Sequence, residues 1–388
     1  MPAVMISKAC TEDGTFCLSK IWCFIVAVAL FVISQADVYG QTFKAATFQS
    51  GSKTGGIQEA IDSAAKAGGG KVEIPAGTFI LHADPARPAI VLRSRVTLLG
   101  AGQDKTILKL EANSKAQPAV MANEHYADPD AADPDHDITL NGFTIDVAAA
   151  DQVLQETHLA SGISLAGLQP IVLQSMEGVG VRSVLRVDPG PDEEIIPILG
   201  VSSGNLYAFF MHPHPAGAKV MQLVYRLYGL ALVGTHNVTI QKVTFENAPM
   251  DGVILDNTLS SEEPHTHTQK INILKCNFIA CHRNGISVID ADDLTIADNH
   301  FKDIWGDPGS PVDVEPDHPW QHGSRITIRD NEAFRCYRGI GLVLQTGDPT
   351  SENFRTESIT GNHIRGTLYQ WGILVLMQQA GATIRTTS

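Results

Sequence analysis

The segment Val312-Asp-Val-Glu-Pro-Asp-His-Pro-Trp320 is rich in side chains able to do chemistry. In an extended strand Asp313 and Glu315 project from one face, with backbones about 6.6 Å apart. That is near the separation, about 6.5–9.5 Å, at which an acid and a base carboxyl invert a glycosidic bond. A second chemistry uses the acids as oxygen ligands: Asp290, Asp313 and Glu315 suit calcium, a hard cation. The metal would bridge the carboxylate of a uronate sugar, with Arg283 or Arg338 as base or charge stabiliser in a β-elimination. A third reading leaves the acids as solvated surface charge. Zinc held by Glu315, His318 and His322 is disfavoured, because no helix sets the histidine spacing. His265 and His267 read as part of a polar loop.

A repeat positions these residues. The phrase Val238-Thr-Ile-Gln-Lys-Val-Thr-Phe245 returns as Ile271-Asn-Ile-Leu-Lys-Cys-Asn-Phe278 and as Leu294-Thr-Ile-Ala-Asp-Asn-His-Phe301. It returns again as Ile326-Thr-Ile-Arg-Asp-Asn331, with Phe334 one residue late, and fainter copies lie at 138–145 and 357–364. Most copies follow a short apolar run led by glycine: Gly229, Gly252, Gly285 and Gly339, whereas the run at Val312 lacks it. The starts fall roughly 23 to 33 residues apart, the period range of solenoids. Each unit alternates apolar and polar residues, so it buries one face and must stack on a neighbour to have a core. Short strands without intervening helices predict an all-β parallel β-helix. The column Cys276, Asn299, Asn331, Asn362 is expected at a left-handed bend, its amides bonding from coil to coil. Phe245, Phe278, Phe301 and Phe334 are expected to stack inside.

Aligning the glycine-led strands predicts which side chains face outward. One outward column reads Ala231, Ile254, Ser287, Asp313, Gly341, Leu374; the next reads Val233, Asp256, Ile289, Glu315, Val343, Leu376. Asp256, Asp313 and Glu315 thus share a face, Asp290 lies just beyond it, and Arg283 and Arg338 flank the strand starts. Long loops after Gly252 and Val312 leave the same sheet edge and carry His318, Trp320 and His322. A wall of loops beside an acidic sheet face forms a groove for an extended ligand. Asp313, Glu315, Asp290 and Arg283 are the catalytic candidates; Asp256, Arg338, His318, Trp320 and His322 are the substrate-binding ones.

The stretch 54–79 runs helix, glycines, strand. Ile57, Ala60, Ile61, Ala64 and Ala65 form one apolar stripe, Gly68-Gly69-Gly70 stops the helix, and Val72 and Ile74 begin a strand. A phosphate loop has the opposite order. This helix, the following Gly-Gly-Gly-Lys-Val-Glu-Ile-Pro-Ala-Gly-Thr-Phe79, and Val96-Thr-Leu-Leu-Gly-Ala-Gly102 resemble the N-terminal cap and first coils of the pectate-lyase superfamily. The resemblance implies a right-handed parallel β-helix with an N-terminal capping helix. It leaves the activity open among lyases, hydrolases, epimerases and non-catalytic members. Glu315-Pro-x-His318 faintly resembles the Asp-Pro-His-Glu element of mannuronan epimerases, with different order and spacing. The Gly-His-Gly and Arg-Ile-Lys elements of polygalacturonases and the Trp-Ile-Asp-His element of pectate lyases are absent.

The remaining bounds come from composition. Ile21–Ile33 is an apolar run too short to span a bilayer and fits a signal peptide over 1–40, leaving a β-helix domain over 41–388. Residues 150–228 match the repeat poorly and read as a β-rich excursion. Cys276, Cys281 and Cys336 remain after signal removal and read as buried thiols rather than a disulfide pair. A formal net charge of −14 argues against nucleic acid as partner. It also requires an acidic substrate to meet a local basic patch or a cation. The expectation is a secreted, periplasmic or cell-surface protein, not held in a membrane once the signal is cleaved. It cleaves or modifies a uronate-containing polysaccharide, as lyase or hydrolase, with epimerase less favoured and calcium as possible cofactor. The alternative is a non-catalytic glycan-binding or cell-surface solenoid.

Overall fold

The computed structural model describes residues 40–128, 134–175, 177–257, 266–306, 308–318, 320–344, 358–367 and 372–377. The expected signal segment and His265 lie outside them. The described chain is mostly β, and its long parallel sheets are consistent with a right-handed β-helix. One sheet takes a strand from each of eight coils: β1 (Ile90–Leu92), β2 (Ala119–Asn123), β3 (Tyr228–Val233), β4 (Val253–Asp256), β5 (Ile286–Val288), β6 (Val312–Val314), β7 (Ile340–Leu344) and β8 (Ile373–Met377). All neighbours in it are parallel. The repeated phrases build a second parallel sheet. Its earlier coils contribute the long strands His136–Asp146 and His236–Glu246, and its later coils break each phrase into two. Among the described residues no helix is long and apolar enough to cross a membrane.

Sharp corners divide the phrases, and the left-handed residue is not the asparagine. It is the residue before: Lys242, Lys275, Asp298 and Asp330 have φ between 51° and 57°, and Gly142 and Gly361 hold the same place. The expectation for the asparagines is corrected accordingly. A left-handed residue points its side chain outward here, whereas the asparagine turns inward and serves the backbone. Asn299 Oδ1 accepts from Cys276 N at 2.8 Å, and its Nδ2 donates to Ile273 O at 3.0 Å. Asn331 Oδ1 accepts from both Asn299 N and Nδ2 at 2.9 Å, and Asn362 Oδ1 repeats this for Asn331 at 3.0 and 2.9 Å.

Beside this ladder Phe245, Phe278 and Phe301 stack with ring centroids 5.2 and 4.8 Å apart. Phe334 does not join them. Counting two residues on from the ladder asparagine leads inward to Ala333, which pairs with Phe301, and Phe334 is 50% exposed. The leading glycines have their reason in the same stack. A Cβ on Gly252 would lie 2.7 Å from Phe278 Cδ1, and one on Gly285 would lie 2.6 Å from Phe301 Cδ1. The coil that carries Pro311 in the place of the leading glycine also carries Ala333 where the three coils before it carry the ring.

Helix α1 (Ile57–Lys66) buries Ile57, Ala60, Ile61 and Ala64 in the main core and packs on the first strands. It ends where Gly69 N reaches back to Ala64 O at 2.9 Å, with Gly68 left-handed at φ 91°. Residues 153–223 form two antiparallel sheets, of four and three strands, around a separate core that includes Leu185, Ile196, Leu206 and Phe210. The chain leaves and returns at one point, since Val224 N donates to Gln152 O at 2.8 Å. Cys276, Cys281 and Cys336 are free and buried, and burial pushes the Cys276 and Cys336 thiols up to about 12.

The ladder gives a stability test. Asn299→Ala strands two buried backbone groups, Cys276 N and Ile273 O, each costing about 1–3 kcal/mol. Denaturant unfolding should show a loss of about 2 kcal/mol or more. A loss below about 0.5 kcal/mol would show that the amide stack is not what holds these coils.

Candidate functional site

The outward column is built as the strand register requires. Ala231 pairs with Ile254, Ile254 with Ser287, Ser287 with Asp313 and Asp313 with Gly341. The alternate residues Leu230, Leu232, Val253, Leu255, Ile286, Val288, Val312 and Val314 fill the main core. The outer face is nevertheless covered: Ala231, Ile254 and Ile289 form an apolar cluster with Tyr228 and Tyr126 packed on it. Asp313 itself is only 3% exposed, so it is no solvated surface charge.

Around Asp313 a polar network holds fixed positions. Asp251, fully buried, accepts from Arg283 Nη1 at 2.8 Å, from Ser287 Oγ at 2.9 Å and from Asn284 N at 2.9 Å. Asn284 in turn donates from Nδ2 to Asp313 Oδ2 at 3.2 Å and accepts from Ser310 N at 2.9 Å. Asp251 and Asn284 were missed in the sequence, although each directly precedes a leading glycine, and that recurring pair was the available signal. Gly341 makes room for the carboxylate, since a Cβ there would sit 2.6 Å from Asp313 Oδ1.

The electrostatics set the protonation of this group. Burial, and then the charge of neighbouring Glu315, push the Asp313 carboxyl from 3.8 to about 7, against the pull of Arg283. Burial works against the Arg283 charge, but Asp251 and the nearby Tyr225, Tyr228 and Asp313 hold it above the ordinary guanidinium range. Burial also raises Asp251, opposed by Arg283 and its other donors, and raises Tyr228 and Tyr225. A carboxyl titrating near neutrality beside a fixed cation is suited to general acid or base work.

Walls stand at both ends of these strands. At the leading edge Tyr225 packs against the residue 153–223 lobe, and a cavity of about 220 Å³ lies between Glu194, Ile196, Phe209 and Met211 of the lobe and Trp305 and Tyr337 of the coils. Arg338 lies over the Tyr337 ring at 5.7 Å. At the trailing edge, in the loop after Glu315, His318 stacks on Trp320 at 4.5 Å and Gln321 Nε2 reaches Asp256 Oδ1 at 3.3 Å. Ser310 Oγ and Trp320 Nε1 are buried without a protein partner among the described residues, a condition that a bound polar ligand relieves.

Asp290 does not join Asp313 and Glu315. Its oxygens accept from Thr268 N at 2.9 Å, His322 N at 2.8 Å and His267 Nδ1 at 2.9 Å, which commits it to the corner beyond the strand. The expected calcium set of Asp290, Asp313 and Glu315 is therefore not assembled among the described residues. Asp290 and His322 thus lie together at the corner beyond the strand, and not beside Asp313 and Glu315. A larger cavity, about 380 Å³, opens in the early coils beside Arg93, Arg95, Glu124, His125 and Asp135. It contains none of the residues near Asp313.

Comparison with known proteins agrees at the level of the fold. The family model described as right handed beta helix region matches residues 224–387. Mannuronan C5-epimerase AlgE4 of Azotobacter vinelandii is 36% identical over 88 residues, covering 22% of this chain and 16% of that protein. Alginate lyase 7 of the same organism is 44% identical over 59 residues, 15% of this chain and 7% of that protein. The chain thus spans under a fifth of the length of these relatives. Among solved structures, pre-mature bacteriophage phi29 gene product 12 superposes over 87% of this chain and 34% of its own, with a TM-score of 0.50 and 17% identity. That likeness concerns the fold alone.

The raised Asp313 makes a prediction with a definite sign. Between about pH 4 and 7 the folded state keeps a proton that the unfolded state has lost, so stability from this group is complete at low pH and lost as pH rises through 7. Asp313→Asn removes that loss. Its melting temperature should match the parent at pH 4 and exceed it by several degrees at pH 8, for an effect on the order of 1–4 kcal/mol. A difference independent of pH would show that Asp313 is ionised throughout.

Proposed function

We propose that this protein is an exported enzyme acting on a uronate-containing polysaccharide, by removing the proton on the sugar carbon next to the carboxylate. The observation that carries the reading is Asp313, a buried carboxyl held near pH 7 beside Arg283 on a face walled at both ends. The short matches to a mannuronan C5-epimerase and an alginate lyase support the same substrate class. Such a proton becomes removable only when the adjoining carboxylate charge is offset as negative charge develops. Arg283 supplies a cation already oriented by Asp251, with guanidinium N–H groups beyond the one that Asp251 takes. Ionised Asp313 takes the proton, and its raised pKa makes it a stronger base than an ordinary carboxylate. Glu315 helps keep that pKa high. Trp320 and His318 offer a flat surface for a sugar ring, and Arg338 a second cation for a neighbouring uronate.

Elimination and epimerisation share this first step and diverge after it. Departure of the C4 oxygen, which takes up a proton from water as its bond to carbon breaks, gives an unsaturated sugar, and delivery of a proton from water to the other face of C5 gives the epimer.

The test is incubation of the purified chain with polymannuronate, polyguluronate and polygalacturonate in heavy water, with and without calcium. Deuterium at C5 with intact chains marks an epimerase, and unsaturated-product absorbance marks a lyase. Activity should rise with pH around a midpoint near 7, and Asp313→Asn should lower it about 10²–10⁴-fold. Saturated new reducing ends without C5 exchange would replace this reading with hydrolysis. Binding without turnover across the panel would replace it with a glycan-binding solenoid.

A further inference from the structure

The cavity of about 220 Å³ between the lobe and the coils has a coil wall formed by Trp305, Gly306 and Tyr337. Trp305 and Tyr337 hold the same place in successive coils. Each donates its backbone N–H to the coil before, Trp305 to Cys281 O at 3.0 Å and Tyr337 to Ile304 O at 2.8 Å. Gly306 sets this wall against the proposed site, since a Cβ there would lie 2.8 Å from Arg283 Cα. On the lobe side Ile195 lines the cavity and also belongs to the cluster in which Tyr225 packs. Tyr225 is near enough to Arg283 to feel the guanidinium charge.

The acids of the lining are already engaged. Glu194 Oε1 accepts from His212 N at 2.7 Å and from His214 Nε2 at 2.9 Å, and its Oε2 accepts from Met211 N at 2.7 Å. Glu193 Oε2 accepts from Arg186 Nη2 at 2.7 Å. The rest is mostly carbon, from Pro197, Leu199, Phe209, Met211, Trp305 and Tyr337. Phe209 and Met211 are 37% and 50% exposed. Large apolar side chains left in water beside a groove are the surface that an apolar ligand covers.

We propose that this cavity binds a short acyl group, carried as an ester on a hydroxyl of the polysaccharide near the sugar whose carboxylate meets Arg283. The inference rests on the proposed substrate class and adds to it a selection for esterified chains. Size favours a substituent over a separate molecule, because drug-sized ligands occupy about 300–1,000 Å³. A second uronate would bring its charge toward Glu193 and Glu194, and like charges repel. A neutral sugar would bring several hydroxyls into a lining of carbon, and burying a hydroxyl without a partner opposes binding. An acyl group brings alkyl carbon and one ester carbonyl, and it leaves the carboxylate of its sugar for the guanidinium. Burial of each alkyl carbon then tightens binding about fourfold.

The test compares unmodified polymannuronate with chains esterified to the same degree by acetic, propionic or butanoic anhydride. Affinities are measured by calorimetry on Asp313→Asn protein, so that no chain is turned over, and turnover is measured separately on the parent. Acetylated chains should bind more tightly than unmodified ones, with about a fourfold gain for each further carbon up to butanoyl. Phe209→Ser and Met211→Ser should each bring the ratio of acylated to unmodified affinity toward one. Leu165→Ser is the control, an exposed lobe leucine outside the cavity, and should keep the ratio. Equal or weaker binding of acylated chains, binding of none, or a preference that survives both Phe209→Ser and Met211→Ser would overturn the assignment. Should one of these variants lose the far-ultraviolet spectrum of the parent, the other decides. A preference in chains that the parent neither eliminates nor epimerises would keep this inference and remove the proposed reaction, and turnover without preference would do the reverse.

Discussion

Each inner coil of this protein has its nearest neighbours one strand spacing away on either side. Every buried backbone group at a corner must find its partner there or go without. The asparagine column answers that demand: each amide accepts from a backbone N–H and donates to a carbonyl of the coil before it. Because each corner is satisfied by the next, coils must repeat their corner chemistry in register. The same alignment that stacks the amides sets Asp313 beside Ser287 and Gly341. The site is thus a local departure from a pattern whose purpose is stacking.

Much of this was legible in the chain. The period, the outward columns and the helix before the first strands derive from residue spacing, because a strand alternates strictly and a one-residue slip would turn every side chain over. What failed was finer. Asparagine's tolerance of left-handed backbone suggested that it occupied the bend, but its inward hydrogen bonds won and Lys275, Asp298 and Asp330 took the bend instead. Phe334 was expected inside on residue type alone; counting from Asn331 would have placed Ala333 there. The joint change of Pro311 and Ala333 was visible in the sequence and meaningless until the ring was seen against the glycine.

The acids show a different limit. Asp290, Asp313 and Glu315 look equivalent when counted along strands, since spacing reveals direction but not partners. Their environments separate them. Asp290 spends its oxygens on N–H donors, and Asp251, overlooked in the sequence, holds the guanidinium. Asp313 meets the Asn284 amide, a neighbouring carboxylate and little water. Chemical poise belongs to the acid least well served by its surroundings, and that is a property of three dimensions.

The lobe at 153–223 leaves and rejoins the coil through one backbone hydrogen bond between Val224 and Gln152, while β3 pairs directly with β2 as though nothing intervened. The stack therefore does not register how long that insertion is or what it contains. A solenoid with such a seam separates two kinds of change: the coils are constrained by their neighbours along the stack, whereas the inserted module is constrained at its ends and where Val184 and Ile195 pack beside Ala149 and Tyr225. The parts of the lobe that do not touch the coils can be lengthened or reshaped without altering the register beneath, so the shape of this insertion and the stability of the scaffold are free to vary apart.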